Sequence, residues 1–164
     1  MPDSLLPDDV AALAARVIAE NRAAGRTVAL AESCTGGLVC AALTEIPGSS
    51  AVLDRGFVTY SNEAKQELLG VSSDVIDAFG AVSIASAWAM AQGALKLSKA
   101  DVAVAISGIA GPDGGSELKP VGTVVFARAI RGEEEILAEE KHLPADSRAA
   151  VRHHLAEQRV VGQP

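Results

Sequence analysis

The chain predicts an α/β fold: a three-layer α/β/α sandwich around a mixed, mostly parallel sheet of about five strands. Three observations carry that prediction. The valine-rich run "DVAVAIS" (101–107) is continuously apolar, as expected of a central strand covered on both faces. Helical and strand-like segments alternate through the first two thirds, which calls for parallel crossovers. Further on, two strand-like runs are joined by "RGEE", too short for a crossover, so they form an antiparallel hairpin.

Taken in order, residues 7–24 make the clearest helix. Pro7 suits a first helical position, Asp8 and Asp9 favour the positive end of the dipole, and Val10, Leu13, Ala14, Val17 and Ile18 share one face. Gly25 fits the position just past its end. "TVALA" (27–31) is a short buried strand, and "LVCAALTEI" (38–46) is a helix stopped by Pro47 and Gly48. "RGFVTY" (55–60) is the second strand; Ser61 then caps the helix "NEAKQELLG", which Gly70 ends. A short helix fills 74–79. Ser83 opens another, with Ile84, Trp88, Ala91 and Leu95 on its apolar side. After the strand 101–107 comes a glycine-rich loop, 108–122. Strands 123–130 and 135–143 turn around Arg131 and Gly132, and Glu139, Glu140 and Lys141 suit the second to a sheet edge. Asp146 caps a last helix whose apolar positions include Val151 and Leu155.

A length of 164 residues fits one domain, 1–164, with a single core. Aromatic residues make up only 3%, so Ala, Val, Leu and Ile must fill that core. The net charge of −7 and a pI near 4.9 repel phosphate backbones at long range, which argues against nucleic acid as a partner. No apolar stretch approaches the roughly 18 residues of a membrane span. "MPDSLLPDDV" has neither the basic nor the apolar region of a secretory leader, and two cysteines do not make a disulfide scaffold. The expected compartment is the cytoplasm.

Three polar stretches end the three expected parallel strands: Glu32–Gly37, Tyr60–Lys65 and Ser107–Gly115. In an open α/β sheet, ligands bind beyond the carboxyl ends of such strands, so all three should line one crevice. In "ESCTGG", Ser33, Cys34 and Thr35 precede Gly36 and Gly37 at the start of a helix. Free amides there attract anions and stabilise developing negative charge, while glycines admit close approach of a substrate. A plain helix cap is an equally good reading of that motif alone. Cys34 competes with Ser33 as nucleophile, because a thiol at a helix N-terminus can have a lowered pKa. Its usual partner is a histidine, but His142, His153 and His154 all fall in charged segments, and adjacent His153 and His154 have the wrong spacing for joint metal binding. Neither a histidine triad nor a metal site is expected. Lys65, in the first turn of its helix, would lose proton affinity to the dipole and to burial; alone it reads better as a surface lysine paired with Glu63 or Glu67. The loop Gly108–Gly115 is not a dinucleotide fingerprint, yet its amides suit a phosphate or carboxylate.

The motifs "AESCTGG", "GFVTYSNEAK", "GAVS", "SGIAGPDGG" and "KPVGTV" stand in the order found in the CinA C-terminal domain family, which this chain resembles from about residue 7 to 157. The family's characterised enzymes are nicotinamide mononucleotide deamidases. The resemblance implies a Ser–Lys amidohydrolase without metal or cofactor, releasing ammonia and nicotinic acid mononucleotide from nicotinamide mononucleotide. It makes Ser33 the nucleophile and Lys65 its base, with Tyr60 beside them. Substrate contacts are expected from Glu32, Cys34, Thr35, Gly36, Gly37, Ser107, Gly108, Ile109, Ala110 and Gly111. The family often has threonine where this chain has Ser107. Its Gly-Asp-Arg is here "ADSR", so Arg148 as a phosphate ligand departs from the pattern. The partner implied is the small substrate, with neither nucleic acid nor membrane, and homo-oligomerisation is left open. Two rival functions are a binding or regulatory module with weak catalysis, and an amidohydrolase of another small amide.

Overall fold

A computed structural model describes residues 4–157, with side chains up to residue 153. Its elements run α1 (Asp8–Ala23), β1 (Val28–Glu32), α2 (Leu38–Thr44), a 3-10 turn (Ser49–Ala51), β2 (Leu53–Val58), α3 (Asn62–Leu69), α4 (Ser73–Phe79), α5 (Ile84–Lys96), β3 (Val102–Gly108), β4 (Thr123–Ile130), β5 (Leu137–His142) and α6 (Arg148–Glu157). The sheet order is β2-β1-β3-β4-β5. β1 pairs in parallel with β2 and β3, while β4 is antiparallel to both β3 and β5. Four strands therefore point one way and β4 alone opposes them. The 123–130 and 135–143 runs form the expected hairpin.

The two faces of the sheet carry different side chains. Val28, Leu30, Val102, Val104, Ile106, Val124 and Phe126 face α1, α2 and α6, meeting Val10, Ala14, Ile18, Leu43 and Val151. The opposite face is nearly all alanine: Ala29, Ala31, Ala103, Ala105, Ala127 and Ala129, with Val125. Small side chains there let α5 sit close, and it answers with its own small residues, Ala87, Ala91 and Ala94, around Met90. Of the expected apolar face, Ala91 is buried and Leu95 packs partly against the core, while its other two residues are corrected. Ile84 and Trp88 are exposed (46% and 38%), because close approach to an alanine surface selects the small side of the helix, not the bulky one. Arg131 closes the far end of α5 by donating to the carbonyls of Leu95, Ser98 and Ala100.

Several ends also shift. Pro7 is the residue before α1, not its first turn, and Gly25 takes the left-handed turn after it. β2 starts and stops two residues early, so Thr59 and Tyr60 lie past the strand. Ser147, not Asp146, caps α6: its hydroxyl accepts from the Ala150 amide, three residues on. Leu155 and His154 have side chains outside the described residues.

Gly93 of α5 has no room for a side chain, since a Cβ would run into the backbone carbonyl of Leu69. Gly93→Ala should cost about 2 kcal/mol by overpacking, although alanine is the better helix former. Urea denaturation of the two proteins side by side checks this.

Candidate active site

The chain leaves β1 through α2 on one face and leaves β2 through α3, α4 and α5 on the other. The segments after β1, β2 and β3 consequently converge at the carboxyl edge of the sheet. They line a cleft of about 280 Å³ that includes Ser33, Tyr60, Lys65, Ser107 and Arg148.

Ser33 stands one residue past β1, its amide held by the Ile106 carbonyl at 3.0 Å. Lys65 enters from the first turn of α3, whose start is fixed by Ser61: its hydroxyl accepts from the Ala64 amide and its carbonyl from the Lys65 amide. The lysine is not a surface residue. It is 2% exposed, and its Nζ donates to Ser33 Oγ at 3.1 Å and to the Thr59 carbonyl at 2.8 Å. Burial lowers its pKa, because the charged form loses water and gains no carboxylate partner in these contacts. A lysine with lowered proton affinity, hydrogen-bonded to a serine, has the geometry that base-assisted nucleophilic attack requires.

Cys34 lines the same cleft but is buried against the backbone of Gly108. Burial pushes its thiol up to about 12, and the Glu32 charge adds to the rise. The lowered thiol pKa considered for this position does not occur, so the sulfur is a poor nucleophile. His142 meets Thr123 and Glu140, and His153 meets Asp9. Among the described residues, no group of three or more His, Cys, Asp or Glu side chains is placed to hold a metal ion.

The opposite wall is the loop after β3. Gly108, Ile109, Ala110, Gly111, Asp113 and Gly114 line the cleft. Ser107 lines it too and donates to the Ala81 carbonyl, which fixes the "GAVS" turn. Among the described residues, the amides of Cys34, Ala110 and Gly111 meet no backbone carbonyl, and the Cys34 amide lies beside its own sulfur. Arg148 of α6 reaches the cleft despite its shifted motif. Its guanidinium donates to the Gly111 carbonyl at 2.7 Å and to the Tyr60 hydroxyl at 2.6 Å. Tyr60 is 61% exposed and engages Arg148, not the serine or the lysine.

Four expected contact residues lie outside the cleft lining: Glu32, Thr35, Gly36 and Gly37. Glu32 is fully buried and turned inward, accepting from the amides of Gly37, Val39 and Cys40. Its carboxylate thus fills the anion position at the start of α2, where the sequence suggested open amides. Gly36 and Gly37 take left-handed φ values of 58° and 97°, which serve the turn. Thr35 is buried beneath it. Sequence reasoning quoted but did not single out Thr59, which acts through a backbone carbonyl, and Asn62, Val82 and Asp113, which line the cleft from within the motifs.

An α/β protein with a buried serine–lysine pair at the carboxyl edge of its sheet is the class these features define. The family model for the CinA C-terminal domain matches residues 10–160, and the chain belongs to that family. A crystal structure of the competence/damage inducible protein CihA from Agrobacterium tumefaciens superposes with a TM-score of 0.90, at 49% identity over 94% of this chain and 93% of that one. Nicotinamide-nucleotide amidohydrolase PncC of Escherichia coli K12 is 61% identical over 113 residues, 68% of each chain. Its counterpart in Enterobacter agglomerans is 52% identical over 140 residues, covering 85% of this chain and 84% of that protein. A competence-damage inducible protein of Symbiobacterium thermophilum is 60% identical over 119 residues, 73% of this chain. The match spans only 27% of that longer protein.

Lys65 tests the electrostatics through stability. A lysine whose folded pKa is lowered binds its proton more tightly when unfolded. The penalty is therefore full below the folded pKa and fades as the pH rises toward the ordinary value of 10.5. Lys65→Met should melt at a higher temperature than the parent near neutral pH, with the gap narrowing in alkaline buffer. Calorimetry across that pH range decides it.

Proposed function

We propose that the chain is a nicotinamide-nucleotide amidase, hydrolysing the carboxamide of nicotinamide mononucleotide by a Ser33–Lys65 mechanism. The observation that carries this reading is the buried 3.1 Å bond between Lys65 Nζ and Ser33 Oγ, open to a cleft sized for a small molecule. The relatives named nicotinamide-nucleotide amidohydrolase supply the substrate class.

In the working form Lys65 is neutral and Ser33 donates its proton to Nζ. Ser33 Oγ attacks the carboxamide carbon, and the oxyanion that forms is met by the Cys34 amide beside the nucleophile. The Lys65 ammonium then protonates the departing nitrogen, and ammonia leaves a Ser33 ester. Water, deprotonated by Lys65, attacks that ester. Ser33 leaves with the same proton, and the acid product is released. The Thr59 carbonyl keeps Nζ aimed at the serine throughout. Arg148 and the amides of Ala110 and Gly111 hold the substrate phosphate at the far wall.

Ammonia release from nicotinamide mononucleotide, its riboside and simple amides is the primary test. Ser33→Ala and Lys65→Ala should each lose on the order of 10³-fold or more in kcat, and the double variant little beyond either, because the pair acts as a unit. Cys34→Ala should keep most of the activity. An active Ser33→Ala beside an inactive Cys34→Ala would reverse the assignment.

The pH profile follows from the same group. kcat/KM should rise with pH along a limb set by Lys65, with an apparent pKa below 10.5, since only the neutral amine accepts the serine proton. The riboside should be a much poorer substrate than the nucleotide, and Arg148→Ala should erase most of that difference by raising KM for the nucleotide. Equal kcat/KM for both compounds on the parent enzyme would remove the phosphate site from the scheme.

A further inference from the structure

The turn bearing the nucleophile is also contacted from outside the cleft. Arg152 is absent from the cleft lining and borders a separate apolar depression formed with Leu6, Pro7, Val10 and Leu38. From there its Nη2 donates to the Thr35 carbonyl at 3.2 Å. That carbonyl shares a peptide group with the Gly36 amide, which donates to the Ser33 carbonyl at 2.9 Å. The Ser33 carbonyl in turn shares a peptide group with the Cys34 amide, at the cleft.

A carbonyl that accepts a hydrogen bond polarises its own peptide, making the attached N–H a stronger donor. Two such peptides in series lead from a cation to the oxyanion position. One nitrogen of the cation at the head of the series, Arg152 Nε, is shielded from water and has no partner among the described residues. Its field already reaches this turn: burial raises the Cys34 thiol, and the Arg152 charge is among the influences that oppose the rise.

We propose that Arg152 is a positioning residue for the amidase reaction. It acts through the Thr35–Gly36 and Ser33–Cys34 peptides to hold and polarise the Cys34 amide as an oxyanion donor. This rests on the amidase reading above. A residue of this kind touches no substrate, so it should act on the transition state and leave ground-state binding alone. If Arg152 only docked α6, its loss would misplace Arg148, four residues earlier, and the damage would fall on nucleotide affinity.

The test compares Arg152→Met and Arg152→Lys in the full chain by steady-state kinetics on nicotinamide mononucleotide. Two binding measurements accompany it. One uses the product nucleotide; the other uses an analogue with an aldehyde in place of the carboxamide, which forms a tetrahedral adduct with a serine. Arg152→Met should lose about tenfold in kcat at unchanged KM. It should bind the aldehyde about tenfold more weakly and the product as before, and added guanidinium ion should restore part of the rate. Arg152→Lys should fall between the two and carries the test if the methionine variant does not fold. A kcat within twofold of the parent in the folded variants overturns the proposal, as does a loss confined to KM and product affinity. A parent protein that releases no ammonia from the nucleotide instead overturns the amidase reading.

Discussion

The fully buried carboxylate of Glu32 organises both halves of the site. Its side chain gathers three amides at the start of α2, which shapes the turn carrying Ser33. Its backbone carbonyl accepts from the Thr59 amide at 2.8 Å and the Thr59 hydroxyl at 3.4 Å, and the Thr59 carbonyl holds Lys65. One residue therefore ties the Ser33 turn to Lys65, through its side chain on one hand and its backbone on the other. A buried carboxylate is costly unless it is fully hydrogen-bonded, and three amides at a helix start offset that cost. The same arrangement keeps the anion position at α2 closed. In the proposed reaction the substrate phosphate is therefore assigned to the opposite wall, where the loop after β3 and Arg148 stand.

The serine–lysine pair sits in tension with stability. In the proposed reaction an amine held inside the protein beside a serine serves proton transfer, because a lysine in water would stay charged and inert as a base. The surrounding elements hold it in place. α3 enters on a capped first turn, β1 and β2 pair up to Glu32 and Val58, and β3 anchors the Ser33 amide. Burial of that amine costs stability, and the rigid elements around it keep it in place.

Much of this was legible in the sequence. The sheet could be read because strands separated by helices admit few topologies, and the convergence of three polar stretches followed from that topology alone. The choice of Ser33 and Lys65 came from the family resemblance; residue chemistry by itself left Cys34 in contention and favoured a surface lysine. What the sequence hid has physical reasons. Glu32 beside a reactive motif reads as a substrate contact, and only the turn of its side chain makes it a cap. Thr59 works through a backbone oxygen, which no side-chain pattern encodes. On α5 the expected face held at Ala91 and Leu95 but not at Ile84 and Trp88, because hydrophobicity singles out those two while packing on alanines depends on size. Asp146 and Ser147 are both good caps, and local geometry chose the second.

The unequal faces of the sheet bear on how the protein can change over time. Beneath α1, α2 and α6 the branched side chains fill space that a neighbouring methyl group can give or take, so paired substitutions there have routes open to them. Beneath α5 the contact is mostly alanine on alanine around Met90 and Val125, with Gly93 held against the Leu69 carbonyl of α3, so few methyl groups can be traded. Sequence drift should run freely on one side of the sheet and stall on the other, leaving the α5 layer as the slow-changing record of the lineage.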